Sequence, residues 1–322
     1  MKTSHRLAQL FFALIVLLGT IISASAQAGF PAPAFSDQQA GYMLVYPYYT
    51  SNTASAGQDT FITISNVSAT NTVGVHLYFM DGQSCAESDM IICLSPNASE
   101  SFKASDIDPD NTGYIIGYAI QPTGASAGCP DIAANSLIGN AFVNIPASNI
   151  QGAYGAEAIN SNARGTFASS CTLAPDGASA TLTFPAPNSF AVEIQSPLDI
   201  PNQKIVLAGL SGDMNTTLTG AGQVGAGQVI NGYETPAVSF SRWIPDGCQT
   251  SATLTSNSPR VPSGINSIIP SGQVGTIRFR VTAAVGLLLV PRNAKGRSGI
   301  RSLHKVGVTA STLIVPVFMP GC

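Results

Sequence analysis

The sequence predicts an all-β protein: antiparallel β-sandwiches of immunoglobulin-like or jelly-roll-like type, two of them, stapled by disulfides. Three observations carry this expectation. Apolar and polar residues alternate at period two along much of the chain, which fits strands with one face in a core. Only 10% of the 322 residues are charged, against roughly 25% in a typical soluble domain, while 45% are hydrophobic. Gly and Pro number 31 and 21, and with abundant Ser, Thr and Asn they fit many short strands joined by tight turns. Low charge with ample apolar content also argues against disorder.

The first 26 residues read as a cleaved signal peptide. Lys2 and Arg6 form a positive start, residues 10–22 are apolar, and Ala24-Ser25-Ala26 is a small-residue cleavage site. Ala26-Gln27-Ala28 is a second candidate site, which would extend the leader to residues 1–28. Neither site has a cysteine beside it for lipid attachment. The apolar run is too short for a stable span, as is the later run 281–290. The expected location is therefore the periplasm, the cell surface or the outside medium, with no integral membrane span in the mature chain.

Residues 41–49 read as a first strand ending in the cluster Tyr46, Tyr48 and Tyr49 around Pro47. In 60–81, Ile62 and Ile64 and then Val73, Val75, Leu77 and Phe79 alternate with polar or small residues on either side of a polar loop. That pattern predicts an antiparallel pair at the heart of the fold, with His76 on its outer face. Short strands follow near Ile91 and Phe102, then 114–120 and 137–145. Residues 152–162 have a weak helical spacing. Strands resume at 180–184, 190–194, 204–210, 238–244 (with Trp243), 252–255, 276–290 and 306–318. The Pro-containing stretch 195–202 marks a division, so the expected domains are 29–196 and 197–322.

Six cysteines, Cys85, Cys93, Cys129, Cys171, Cys248 and Cys322, lie beyond the leader. An even count in an exported chain predicts three disulfides, and pairing in sequence order would join Cys85 with Cys93, Cys129 with Cys171, and Cys248 with Cys322. No Cys-x-x-Cys occurs, so neither a zinc site nor a redox motif is indicated. Without Lys2 and Arg6 the chain holds 12 basic and 17 acidic residues, a net charge of −5. The acids crowd the first half and the bases the last third. Such polarity suits self-association or contact with other surface components.

Candidate chemistry is sparse. Gly124-Ala-Ser126-Ala-Gly128 matches the nucleophile elbow of serine hydrolases, with Asp176, Asp199 or Asp213 and then His304 in hydrolase order. The elbow needs a strand directly before it and a helix directly after it, and neither is written here. Gly220-x-Gly222-x-x-Gly225 matches a dinucleotide fingerprint, but the glycines that follow would break the required helix. Asp106, Asp108 and Asp110 alternate as in the first half of a calcium-binding EF-hand loop. Asn111 stands where that loop needs Gly and Gly117 where it needs Glu, so only a looser calcium site remains. Calcium is thus the one cofactor in view. Tyr46, Tyr48, Tyr49 and Trp243 offer aromatic faces for a glycan. The basic run Arg292, Lys295, Arg297, Arg301 and Lys305 lacks interleaved aromatics, so nucleic acid is not an expected partner.

The Tyr-Pro-Tyr-Tyr run at 46–49, VHLYFMDGQSC at 75–85, SDIDPDNTGYI at 105–115 and the terminal IVPVFMPGC together resemble uncharacterised exported proteins of environmental bacteria. That resemblance implies export and an all-β fold and carries no activity or site residues with it. The functional expectation is an exported, non-enzymatic structural, adhesive or surface-assembly protein. The alternative is a binding module for glycan or calcium, and the least favoured is a serine hydrolase using Ser126.

Overall fold

Alternation that places apolar side chains on both faces of a strand asks for a layer on each side, and this chain supplies them. The structure is a computed structural model that describes residues 35–317, apart from 53, 56, 121–128, 162–167, 216, 219–226, 232–236, 242, 244–246 and 295. The leader, Ser126, the 220–225 glycines and Cys322 lie outside the described residues.

In chain order the strands are β1 (Phe35–Ser36), β2 (Met43–Thr50), β3 (Asp59–Asn66), β4 (Val73–Asp81), β5 (Glu87–Leu94), β6 (Ser99–Lys103) and β7 (Thr112–Ile120). Next come β8 (Leu137–Ile145), β9 (Ile150–Gly155), β10 (Glu157–Ile159), β11 (Ser170–Leu173), β12 (Ser179–Gln195), β13 (Lys204–Gly209) and β14 (Gly212–Asp213). The last are β15 (Thr217–Leu218), β16 (Gly227–Asn231), β17 (Val238–Phe240), β18 (Gln249–Thr253), β19 (Val274–Arg280), β20 (Ala284–Val290), β21 (Gly299–Ser302) and β22 (His304–Pro316).

Four sheets result. The first has the order β1-β10-β2-β7-β4-β5, and the second β6-β3-β8-β9. The third runs β15-β14-β22-β12-β19-β16-β17 with β11 added on β12, and the fourth β18-β13-β20-β21. Pairing is antiparallel except where β14 meets β22. The all-β, sandwich-type expectation is met.

Three cores fill the spaces between sheets. One face of the first sheet (Leu44, Leu77, Phe79, Ile115) packs on the second sheet through Ile62, Ile64, Ala141 and Val143. Its other face (Val45, Tyr78, Ile116, Tyr118) packs on the third through Leu182, Phe184 and Leu313. The third core lies between the third and fourth sheets, with Phe190, Val192, Ile277 and Phe279 against Ile205, Leu207 and Leu288. β2, β4 and β7 are consequently buried on both faces, β4 up to its last residue.

Several expectations are corrected here. Residues 60–81 do not form a hairpin: β3 pairs with β6 and β8, whereas β4 pairs with β5 and β7. Period two reports which face is buried, not which strand is the neighbour. The stretch 152–162 is strand (β9 and β10), and 276–290 is two strands, β19 and β20. Conversely, 180–184 and 190–194 merge into the 17-residue β12. Pro185 and Pro187 sit between Thr183, where pairing with β11 ends, and Ser189, where pairing with β19 begins. Among the described residues one edge of β12 has no partner there, and a missing N–H costs nothing.

The division at 196/197 does not separate sheets. β12 pairs with β22 from Ser179 to Ala191 and with β19 from Ser189 to Gln195. It feeds Leu182 and Phe184 into one core and Phe190 and Val192 into another. The described residues from Phe35 onward group as one compact unit. The disulfides repeat the message. Cys129–Cys171 forms as expected, with Cα atoms 5.9 Å apart. Cys85, however, bonds Cys248 across 163 residues of sequence, with Cα atoms 5.8 Å apart, which overturns Cys85–Cys93 and Cys248–Cys322. Cys93 is also disulfide-bonded.

Candidate functional site

The chain's most chemically suggestive grouping lies on the inner faces of β4, β5 and β7. His76 on β4 is fully buried, contrary to its expected place on an outer face, because a second core covers that side of the strand. Its Nε2 stands 2.8 Å from Asp89 Oδ2, and its Nδ1 2.8 Å from the Tyr78 hydroxyl. That hydroxyl is 3.0 Å from the hydroxyl of Tyr118. The His76 and Tyr78 rings overlap with centroids 4.0 Å apart.

Donor logic orients the chain of bonds. An ionised Asp89 only accepts, so Nε2 carries the proton of a neutral His76. Nδ1 then accepts from Tyr78, whose oxygen accepts from Tyr118. Burial lowers the His76 pKa, against the opposing pull of Asp89, so the ring is neutral at neutral pH. Burial first, and the neighbouring Tyr118 second, push the Tyr78 hydroxyl far above its usual range. An Asp–His–Tyr relay could move a proton, but its central ring has no surface for a substrate to touch. Only Asp89 is open to solvent, its side chain 39% exposed. The Tyr78 and Tyr118 hydroxyls also lie near the Pro316 carbonyl of β22, at 3.3 and 3.5 Å. The network thus ties the first sheet to the last strand.

The sequence-predicted calcium ligands do not converge. Asp106 accepts the Lys103 N–H at 3.2 Å in the short 3-10 turn Ala104–Asp106. Asp108 turns inward, 5% exposed, and accepts the Tyr49 hydroxyl and, at 2.7 Å, the Asn111 amide. Asp110 takes a left-handed backbone with φ 62°. Tyr49 and Asn111 take up the buried Asp108 carboxylate. Among the described residues no group of three or more His, Cys, Asp or Glu side chains is placed to hold a metal. Tyr46, Tyr48 and Tyr49 are core residues, so they present no glycan platform. Trp243 packs edge-on against Phe240 and Phe279 and donates to Ser258 Oγ at 3.0 Å.

The residues that followed Ser126 in hydrolase order are also dispersed. Asp176, Asp199 and Asp213 accept from Ala178, Gly272 and Asn215 of their own turns or neighbouring loops, and none hydrogen-bonds His304 among the described residues. One buried ion pair escaped sequence reasoning: Glu157 on β10, 2% exposed at its side chain, meets Lys305 on β22. Burial raises the Glu157 pKa, and Lys305 opposes the rise. Nothing in the local pattern of either strand announces a partner 148 residues away.

No family model matches the chain, and no curated protein matches it. Among solved structures, the top component of cowpea mosaic virus (naturally occurring empty particles) aligns over 91% of this chain and 95% of its own, with 8% identity and a TM-score of 0.18. Allantoicase aligns over 86% and 80%, with 10% identity and a TM-score of 0.16. The 7S globulin of Momordica charantia aligns over 77% and 70%, with 8% identity and a TM-score of 0.15. Scores at this level carry no argument about fold or function. Among the described residues no helix is long and apolar enough to cross a membrane.

Proposed function

We propose that this is an exported, non-enzymatic structural protein that serves adhesion or surface assembly. The observation that carries the reading is the burial of its chemistry. The Asp89–His76–Tyr78–Tyr118 network and the Asp108–Tyr49 pair join layers, and His76 is sealed from any substrate. Disulfides across distant segments suit an oxidising compartment. Outward-facing apolar residues are available for association: Phe61 and Phe142, register partners on β3 and β8, are 49% and 38% exposed.

Light scattering of the oxidised protein lacking residues 1–26, across concentration and salt, tests the reading. A mass that rises with concentration and falls back at high salt is expected if the acidic first half meets the basic last third of another copy. A monomer under every condition would remove self-assembly from the proposal.

A further inference from the structure

We infer that a groove on the third sheet binds a carboxylate-bearing carbohydrate of the uronic-acid class. The groove has a volume of about 430 Å³, within the range of small-molecule sites. Cross-strand register builds its polar wall. Arg280 of β19 stands opposite Ser189 of β12, Arg278 opposite Gln228 of β16, and Gln228 in turn opposite Ser239 of β17. All five side chains line the groove. Arg278 and Arg280, two positions apart, project from the same side of β19, roughly 7 Å from each other.

Neither guanidinium has an ion-pair or hydrogen-bond partner among the described residues, and both are exposed. Glu193, the acid on the same face of β12, is 3.8 Å from Arg301 instead. The groove therefore holds an uncompensated pair of planar donors, the geometry suited to carboxylates. Ser189, Ser239 and Gln228 both donate and accept, which matches sugar hydroxyls better than a bare ion. Phe190, Phe240 and Phe279 also border the groove, but their rings are buried in the third core, so Val306, 63% exposed, is the apolar side chain open to a sugar ring. The inference is independent of self-assembly, because the groove would bind in a monomer or in an assembly.

Calorimetric titration of the oxidised full-length mature chain with trigalacturonate, neutral galactotriose and inorganic sulfate tests it. Trigalacturonate is expected to bind, with affinity falling as salt rises, and to bind at least about tenfold more tightly than galactotriose. The double variant Arg278→Gln/Arg280→Gln is expected to lose about tenfold or more while keeping the wild-type melting curve, since both side chains are exposed. Absence of trigalacturonate binding, equal affinity for the neutral sugar, or an unchanged double variant would overturn the site. Sulfate binding as tight as trigalacturonate would overturn its carbohydrate class.

Discussion

His76 shows how a titratable residue becomes a structural one. Its neutral ring joins a solvent-facing carboxylate to a buried hydroxyl. Because burial depresses its folded-state pKa below the unfolded value of about 6.5, the unfolded chain takes up the proton first as pH falls. The stability that the neutral ring supports is thus present above about pH 6.5 and is lost below it. His76→Leu removes the near acceptor of the Tyr78 hydroxyl and leaves it the longer 3.3 Å contact to the Pro316 carbonyl, so a loss of about 1–2 kcal/mol is expected at pH 7.5. The gap between variant and wild type should narrow toward pH 5, as urea midpoints at the two pH values will show. A constant gap would mean that His76 does not titrate on unfolding as described. The residue was misplaced by sequence reasoning for a definite cause: His76 and Tyr78 look like the wet face of a half-buried strand, and nothing within β4 reveals that β12 and β22 cover it.

At the scale of elements, the alternation was legible and the pairing was not. β8 occupies 137–145 as its pattern indicates, and β2, β7 and β13 fall within a few residues of expectation. The partners of β3 and β4 were misread, because faces are written locally and neighbours are chosen by the whole fold. The aspartate run misled for a related reason. Spacing two apart converges on a cation only if the loop keeps that geometry, and here a 3-10 turn and an inward Asp108 dissolve it. Close approaches between layers supply a sharper test of the packing. Gly139 of β8 lies under Tyr46, whose hydroxyl donates to the Thr63 carbonyl at 2.9 Å. An added Cβ would overlap that hydroxyl, so Gly139→Ala should cost about 1–3 kcal/mol through overpacking. A substitution without effect on the melting temperature would show that the first and second sheets are not packed this tightly.

For the whole molecule, the decisive feature is that no cut in sequence separates the layers. β13 and β20 each contribute to all three cores: Val206, Ala208 and Leu207 from the one, Leu287, Val285 and Leu288 from the other. Cys85–Cys248 then closes a long loop over them. With a sequence separation of 163, against 42 for Cys129–Cys171, chain-entropy reasoning assigns about 5 and about 4 kcal/mol respectively. Replacing Cys85 and Cys248 together by serine should therefore lower the denaturation midpoint more than replacing Cys129 and Cys171. The reverse order would deny the first bridge its clamping role.

The interlocking of the two halves is tested most directly by scanning calorimetry of the oxidised protein lacking residues 1–26. One transition is expected, with calorimetric and van't Hoff enthalpies in agreement, because unfolding either half strips cores shared with the other. Two resolved transitions, reproduced by separately folded fragments divided at 196/197, would contradict it.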